Sequence, residues 1–179
     1  MVRRLAAAGL DTVIVRPAST YGPRGTAWTV GPVEQIKSGR LRLLAGGRGR
    51  VNLGYIDNVV QGTLQALTAA AAAGQTYNLC DGQAIPFHEF YGYYARMMGI
   101  SRLPSVPAWA GRLAISPPGR WARRLLGRQA TGRWSLHYLQ NSSRFAITKA
   151  QRELGFAPAI DVTEGMGRRE AWLRQAGVI

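Results

Sequence analysis

Arg16-Pro17-Ala18-Ser19-Thr20-Tyr21-Gly22-Pro23-Arg24 follows directly on Thr12-Val13-Ile14-Val15, a β-branched run of the kind that forms a buried parallel strand. Pro17 drives the chain out of that strand, and Gly22-Pro23 turns it a second time. In open α/β sheets, ligands bind just past the carboxyl ends of the strands. This stretch therefore reads as the floor of a ligand site.

Outward from it, strands and helices alternate. The pattern predicts a helix tail over residues 1–8 stopped by Gly9, a helix from Trp28 to Lys37, a short strand at Leu41 to Leu44 and extended chain from Val51 to Ile56. Asp57 is placed to cap a helix running through the alanine tract to Gly74. Thr76-Tyr77-Asn78-Leu79 reads as a further buried strand, Asp81-Gly82 as a turn, and Phe87 to Met98 as an amphipathic helix ended by Gly99. From Pro104 to Trp134 the pattern loosens into short helices carrying Trp109, Leu113, Ile115, Trp121, Leu125 and Leu126. Thr148-Lys149-Ala150-Gln151 has capping-box form, and Thr163 to Ala176 is the last helix. This is α/β patterning giving way to a helical lobe.

With 179 residues and 46% hydrophobic content, the chain can bury one ordinary core. No apolar run reaches membrane-spanning length, and Val2-Arg3-Arg4-Leu5 does not resemble a signal peptide. Cys80 is the single cysteine, so no internal disulfide forms, and the expected compartment is the cytoplasm. The net charge is +14, and no Asp or Glu occurs between Phe90 and Arg152. That arginine-rich interval reads either as a solvated face or as a surface for phosphates, anionic lipid or nucleic acid.

The opening stretch resembles the Arg-Pro…Tyr-Gly-Pro-Arg segment of the extended short-chain dehydrogenase/reductase family, which includes nucleotide-sugar epimerases, dehydratases and 3β-hydroxysteroid-dehydrogenase-like enzymes. Tyr55-Ile56-Asp57-Asn58-Val59-Val60, then Tyr77-Asn78-Leu79 with Asp81-Gly82, resemble later family elements in the same order. Lys149-Ala150, Glu153-Leu154-Gly155-Phe156, Pro158, Glu164-Gly165 and Trp172 are similar to its closing segment. The resemblance implies an α/β fold: the C-terminal part of a Rossmann-like parallel sheet with a small, mostly helical substrate-binding lobe. Residues 1–85 would be the incomplete Rossmann-type part and residues 86–179 the lobe and closing helix.

By the same resemblance, Pro17, Ala18 and Thr20 meet the nicotinamide of NAD or NADP, and Ser19, Arg24, Arg50 and Asn52 face substrate. Asp57 also reads as a helix cap, Tyr55 and Tyr77 as core aromatics with a polar tip, and Asn58 as a backbone clamp. Gly47-Arg48-Gly49 is not a phosphate loop, because Asn52 occupies the last glycine position and extended chain follows. His88 and His137 lack metal-ligand spacing.

No tyrosine here is followed by the family's x-x-x-Lys, so no catalytic residue is assigned, and the Gly-rich dinucleotide turn is missing. The expectation is the C-terminal part of a longer oxidoreductase or epimerase, begun at an internal methionine and inactive alone. Val51, Ser19 and Asn58 differ from the nucleotide-sugar pattern, which favours the hydroxysteroid-dehydrogenase-like branch. Its partner would be a small apolar or sugar-like substrate, with peripheral membrane contact and a homodimer of the parent left open. The rival is a non-catalytic basic module for nucleic acid or anionic membrane, although no nucleic-acid-binding motif is present.

Overall fold

A computed structural model describes residues 9–116, 118 and 133–179. The expected helix tail at 1–8 and the lobe residues Trp121, Leu125 and Leu126 lie outside them. The chain divides into two compact units, one of residues 1–31, 52–84 and 144–179, the other of residues 32–51 and 85–143.

In the first unit, β1 (Ile14–Pro17) pairs in parallel with β5 (Thr76–Leu79), in register from Ile14 opposite Thr76 to Pro17 opposite Leu79. A parallel pair needs a long crossover, and α2 (Ile56–Thr68) supplies its helix. Next comes β2 (Ser19–Tyr21), which pairs in parallel with β4 (Arg50–Tyr55) and sets Ser19 opposite Leu53 and Tyr21 opposite Tyr55. Tyr77, Leu79, Ala66, Ala150, Leu154 and Phe156 form the core, with Val13 and Val15 packed on it. Gly62 of α2 lets the helix approach closely: a Cβ there would lie 2.8 Å from Leu79 and 2.9 Å from Phe156. Helices α6 (Thr148–Leu154) and α7 (Val162–Gln175) close the unit.

The second unit holds α1 (Gly31–Lys37), β3 (Leu43–Leu44), β6 (Ala84–Pro86), α3 (Phe87–Met97), β7 (Ser105–Val106), α4 (Ala108–Ile115) and α5 (Arg133–Gln140). Phe90 packs edge-on against Tyr91 and Tyr94, and Phe87 against Tyr138 of α5, with ring centroids 5.2, 5.4 and 5.6 Å apart. β3 and β7 pair in parallel, and the Ser105 hydroxyl donates to the Leu43 carbonyl at 3.1 Å. Burial pushes the Tyr91 phenol up to about 12.

Local expectations fail in four places. Helix α2 begins at Ile56, so Asp57 lies inside its first turn and makes no cap; it pairs with Arg168 at 3.6 Å instead. The alanine tract does not continue α2. Ala69 is extended, Ala70–Ala72 forms a separate 3-10 turn, and Ala72 is drawn into the core. Ahead of Thr148, the N-cap residue is Ile147, which packs in the core and makes no side-chain cap bond, so packing rather than a capping box starts α6. The helix predicted from Trp28 starts as a π-helical turn, Thr26–Val30, before α1. Among the described residues, no helix is long and apolar enough to cross a membrane.

Candidate functional site

Proline has no N–H, and Pro17 ends β1 with its ring exposed. The Ala18 N–H donates to the Leu79 carbonyl at 3.0 Å, the last bond toward β5. At Ser19 the chain changes neighbour and runs beside β4. The partner switch thus falls at the carboxyl end of a parallel strand, where open sheets bind ligands. The Thr20 hydroxyl turns back to the Ala18 carbonyl at 3.2 Å.

Beyond β2 the loop is tightly built. Buried Thr29 donates from Oγ1 to the Gly22 carbonyl at 2.8 Å and accepts the Gly22 N–H at 3.3 Å. The Gly25 N–H closes a turn onto Gly22 at 3.3 Å, with Pro23 and Arg24 at its centre. Arg24 takes a φ of 65°, the left-handed conformation that a type II turn ordinarily gives to glycine. Its side chain is exposed.

Behind the loop lies a buried polar cluster. Tyr21 and Tyr55 pack edge to face, with centroids 5.4 Å apart. Asp81, 8% exposed, accepts the Tyr55 N–H at 2.9 and 3.1 Å and Asn58 Nδ2 at 2.8 Å. Burial raises its carboxyl above the usual Asp range, while those donors pull the other way. Burial, and then the facing Asp81 carboxylate, push the Tyr21 phenol far above its ordinary value, so it stays protonated. Gly165 of α7 abuts the Tyr21 hydroxyl, and fully buried Arg169 places its guanidinium 5.7 Å from the Tyr21 ring centroid.

Of the expected site residues, Pro17, Ala18, Ser19 and Thr20 occupy the partner switch itself, with Arg24 on the following turn. Asn52 is buried and its Oδ1 accepts the Phe145 N–H at 2.8 Å, so its carboxamide holds the chain leading to α6. Arg50 belongs to the second unit, where its N–H donates to the Asn141 carbonyl at 2.7 Å. Asn58 is the backbone clamp expected: besides Asp81 it bonds the Ile160 carbonyl and the Ala159 and Ile160 N–H groups. Tyr77 is a core aromatic with its hydroxyl on Glu153 at 3.0 Å. Sequence reasoning missed Asp81 and Arg169. Asp-Gly reads locally as a solvated turn, and an arginine within a charged helix carries no local mark of burial.

Residues 1–80 match the NAD dependent epimerase/dehydratase family. The chain is 29% identical over 171 residues to the 2-alkyl-3-oxoalkanoate reductase of Stenotrophomonas maltophilia, covering 92% of this chain and 52% of that protein. It is 30% identical over 173 residues to the 4-hydroxy-2-methyl-3-oxo-4-farnesyl-3,4-dihydroquinoline-1-oxide ketoreductase of Stigmatella aurantiaca, covering 94% and 50%. In fold it resembles the crystal structure of gox2253, with a TM-score of 0.74 at 24% identity over 99% of this chain and 54% of that one. The chain spans about half the length of the curated relatives it matches.

Proposed function

We propose that the chain belongs to the extended short-chain dehydrogenase/reductase family, in its NAD-dependent epimerase/dehydratase group, and that it forms the C-terminal, substrate-side part of an NAD(P)-dependent oxidoreductase. The observation that carries this reading is the exposed Pro17 ring at the carboxyl end of β1, where the strand exchanges β5 for β4. The residues present fit the nicotinamide end of a dinucleotide. Pro17 offers an apolar face, and Thr20 carries a hydroxyl beside it. The Ala18 N–H is already engaged by Leu79, so its contact comes through the carbonyl and methyl. When bound, the nicotinamide supplies or accepts a hydride. This chain's part is to position that ring and the substrate, since no tyrosine here has a lysine four residues on to lower its pKa for proton transfer.

The substrate class we propose is a ketone, or the corresponding alcohol, carrying an apolar substituent, in the 3β-hydroxysteroid-dehydrogenase-like branch. Two matched relatives are named for oxo substrates with alkyl or farnesyl groups. Ser19 and Arg24 are the substrate-facing side chains, Arg24 keeping a conformation that glycine would adopt without strain. The buried, unpaired Cys80 supports a reducing compartment, and we place the protein in the cytoplasm.

Titration calorimetry with a long-chain 3-oxo ester tests the reading. Saturable binding weakened about tenfold by Ser19→Tyr or Arg24→Ala is expected, a loss of about 1.4 kcal/mol. The chain alone should turn over neither NADH nor NADPH. Absence of ester binding together with steeply salt-dependent DNA binding would replace the enzyme reading by a basic binding module.

A further inference from the structure

Charge divides unequally between the two units. The second unit carries 13 of the chain's 23 basic residues but, of its nine acidic ones, only Glu34 and Glu89, so +11 of the net +14 belongs to it. In the first unit, Lys149, Arg152, Arg168 and Arg174 each pair with a carboxylate. In the second, Arg40 donates to the Ser38 hydroxyl, Arg42 donates to the Gly39 and Leu41 carbonyls, and Arg96 lies 4.7 Å from the Tyr93 ring centroid. None of these contacts neutralises the guanidinium it holds. Arg102 and Arg112 of the same unit are exposed.

A second observation comes from α4. Trp109 and Leu113 are 67% and 56% exposed. Four residues apart, they project about 40° from one another around the helix axis. Gly111, on the opposite side, is buried. The helix thus packs on its smallest residue and turns its largest apolar ones outward, the reverse of a helix that faces water. Arg112 flanks the pair, about 60° from Trp109.

Together the two features select among polyanions. Arginine forks match phosphate oxygens in a lipid headgroup and in a nucleic acid alike. The pair on α4 separates the two. An indole rests at the headgroup level with its N–H in the polar layer, and a leucine beside it enters the acyl boundary. Beside a phosphodiester backbone the same leucine gains nothing. Nor does one indole make the series of aromatic faces on which successive bases stack.

We propose that α4 and its neighbouring arginines form a docking surface for an anionic lipid bilayer. Trp109 and Leu113 enter the headgroup boundary, and Arg102 and Arg112 meet lipid phosphates. Two apolar side chains attach a protein weakly and reversibly, so the attraction of anionic lipid is needed to hold it. The surface stands on charge and helix geometry and does not depend on the substrate class proposed above.

Co-sedimentation of the full chain tests this, with vesicles of phosphatidylcholine alone or with about one-third phosphatidylserine. Binding to the anionic vesicles is expected to be about tenfold or more tighter than to the neutral ones, and to weaken as salt rises. The combined Trp109→Ser, Leu113→Ser variant should bind the anionic vesicles about tenfold more weakly, and Arg102→Glu with Arg112→Glu should do the same. Circular dichroism and melting of both variants should match the parent, because all four side chains are exposed. Equal binding to the two kinds of vesicle, or anionic binding indifferent to the serine pair, would overturn the proposal. So would binding to duplex DNA tighter than to the anionic vesicles at the same salt and unchanged by the serines, which would make this a nucleic-acid surface. Ester binding is measured separately, so failure here and failure of the substrate reading are told apart.

Discussion

Asn58 and Asp81 lock side chain to side chain: Asn58 Nδ2 donates to Asp81 Oδ1 at 2.8 Å, while that carboxylate also accepts the Tyr55 N–H. The same asparagine donates to the Ile160 carbonyl at 2.7 Å and accepts from Ala159 and Ile160. One residue thereby ties the start of α2, the end of β5 and the approach to α7.

Removing it should be costly, because it strands a buried carboxylate and two backbone N–H groups. Asn58→Ala is expected to destabilise by about 2–4 kcal/mol, read as a lower urea midpoint at unchanged m-value. Asn58→Asp sets two carboxylates against each other and should recover stability on acidification toward pH 4. An Asp variant as stable as the parent at pH 7 would contradict the arrangement.

Asp81 gives stability a pH dependence of definite sign. Its folded pKa lies above the ordinary 3.8, so the native state binds more protons than the unfolded chain just above that value. Its contribution therefore falls as pH rises from about 4 through the folded pKa. Glu153 works in the opposite sense: hydrogen bonds from Arg152 and then Tyr77 lower its pKa, and that stability is lost as pH falls. Comparing urea midpoints of the parent and Asp81→Asn between pH 4 and pH 7 should show the downward slope in the parent only.

Two glycines should respond oppositely to the same change. Gly62→Ala drives a methyl into Leu79 and Phe156 and should cost about 1–3 kcal/mol by thermal melting. Gly167→Ala on α7 meets nothing within 4 Å and should be neutral, or stabilise by up to about 1 kcal/mol through helix propensity.

The substrate-facing role proposed for Arg24 predicts opposite effects on stability and on binding. Arg24→Gly relieves the left-handed φ and should stabilise by up to about 1 kcal/mol while weakening ester binding. A glycine variant that binds as well as the parent would leave Arg24 a structural oddity.

Cys80 is 1% exposed, and burial pushes its thiol up. Reaction with iodoacetamide at pH 8 should be negligible in the native protein and become rapid in urea. Fast native labelling would mean that the core around Ile147 and Phe156 opens readily.

Local grammar carried much of the fold. The β-branched run before Pro17, the alternation of Thr76-Tyr77-Asn78-Leu79 and the apolar spacing from Phe87 onward each formed the element their pattern dictates. Caps were less legible. Asp57 and Thr148 have the right chemistry for helix starts, yet Tyr55 and Ile147, fixed by core packing, set the boundaries two residues and one residue earlier. The last helix, expected from Thr163, starts one residue earlier on a cap the sequence reading did not single out, Asp161, whose Oδ1 accepts the Glu164 N–H at 2.8 Å.

By itself the sequence determined the Arg16–Arg24 turn and the strand before it, because proline, glycine and β-branched residues act through their own backbone. Only the tertiary structure decided that the turn coincides with an exchange of strand partners and that Asp81 is buried beneath Tyr21. It alone decided that Asn52 is committed to Phe145 and that α2 faces its leucines outward. Each of these depends on which distant segment fills the space beside a residue, and strand pairing and burial are set by the whole packed core.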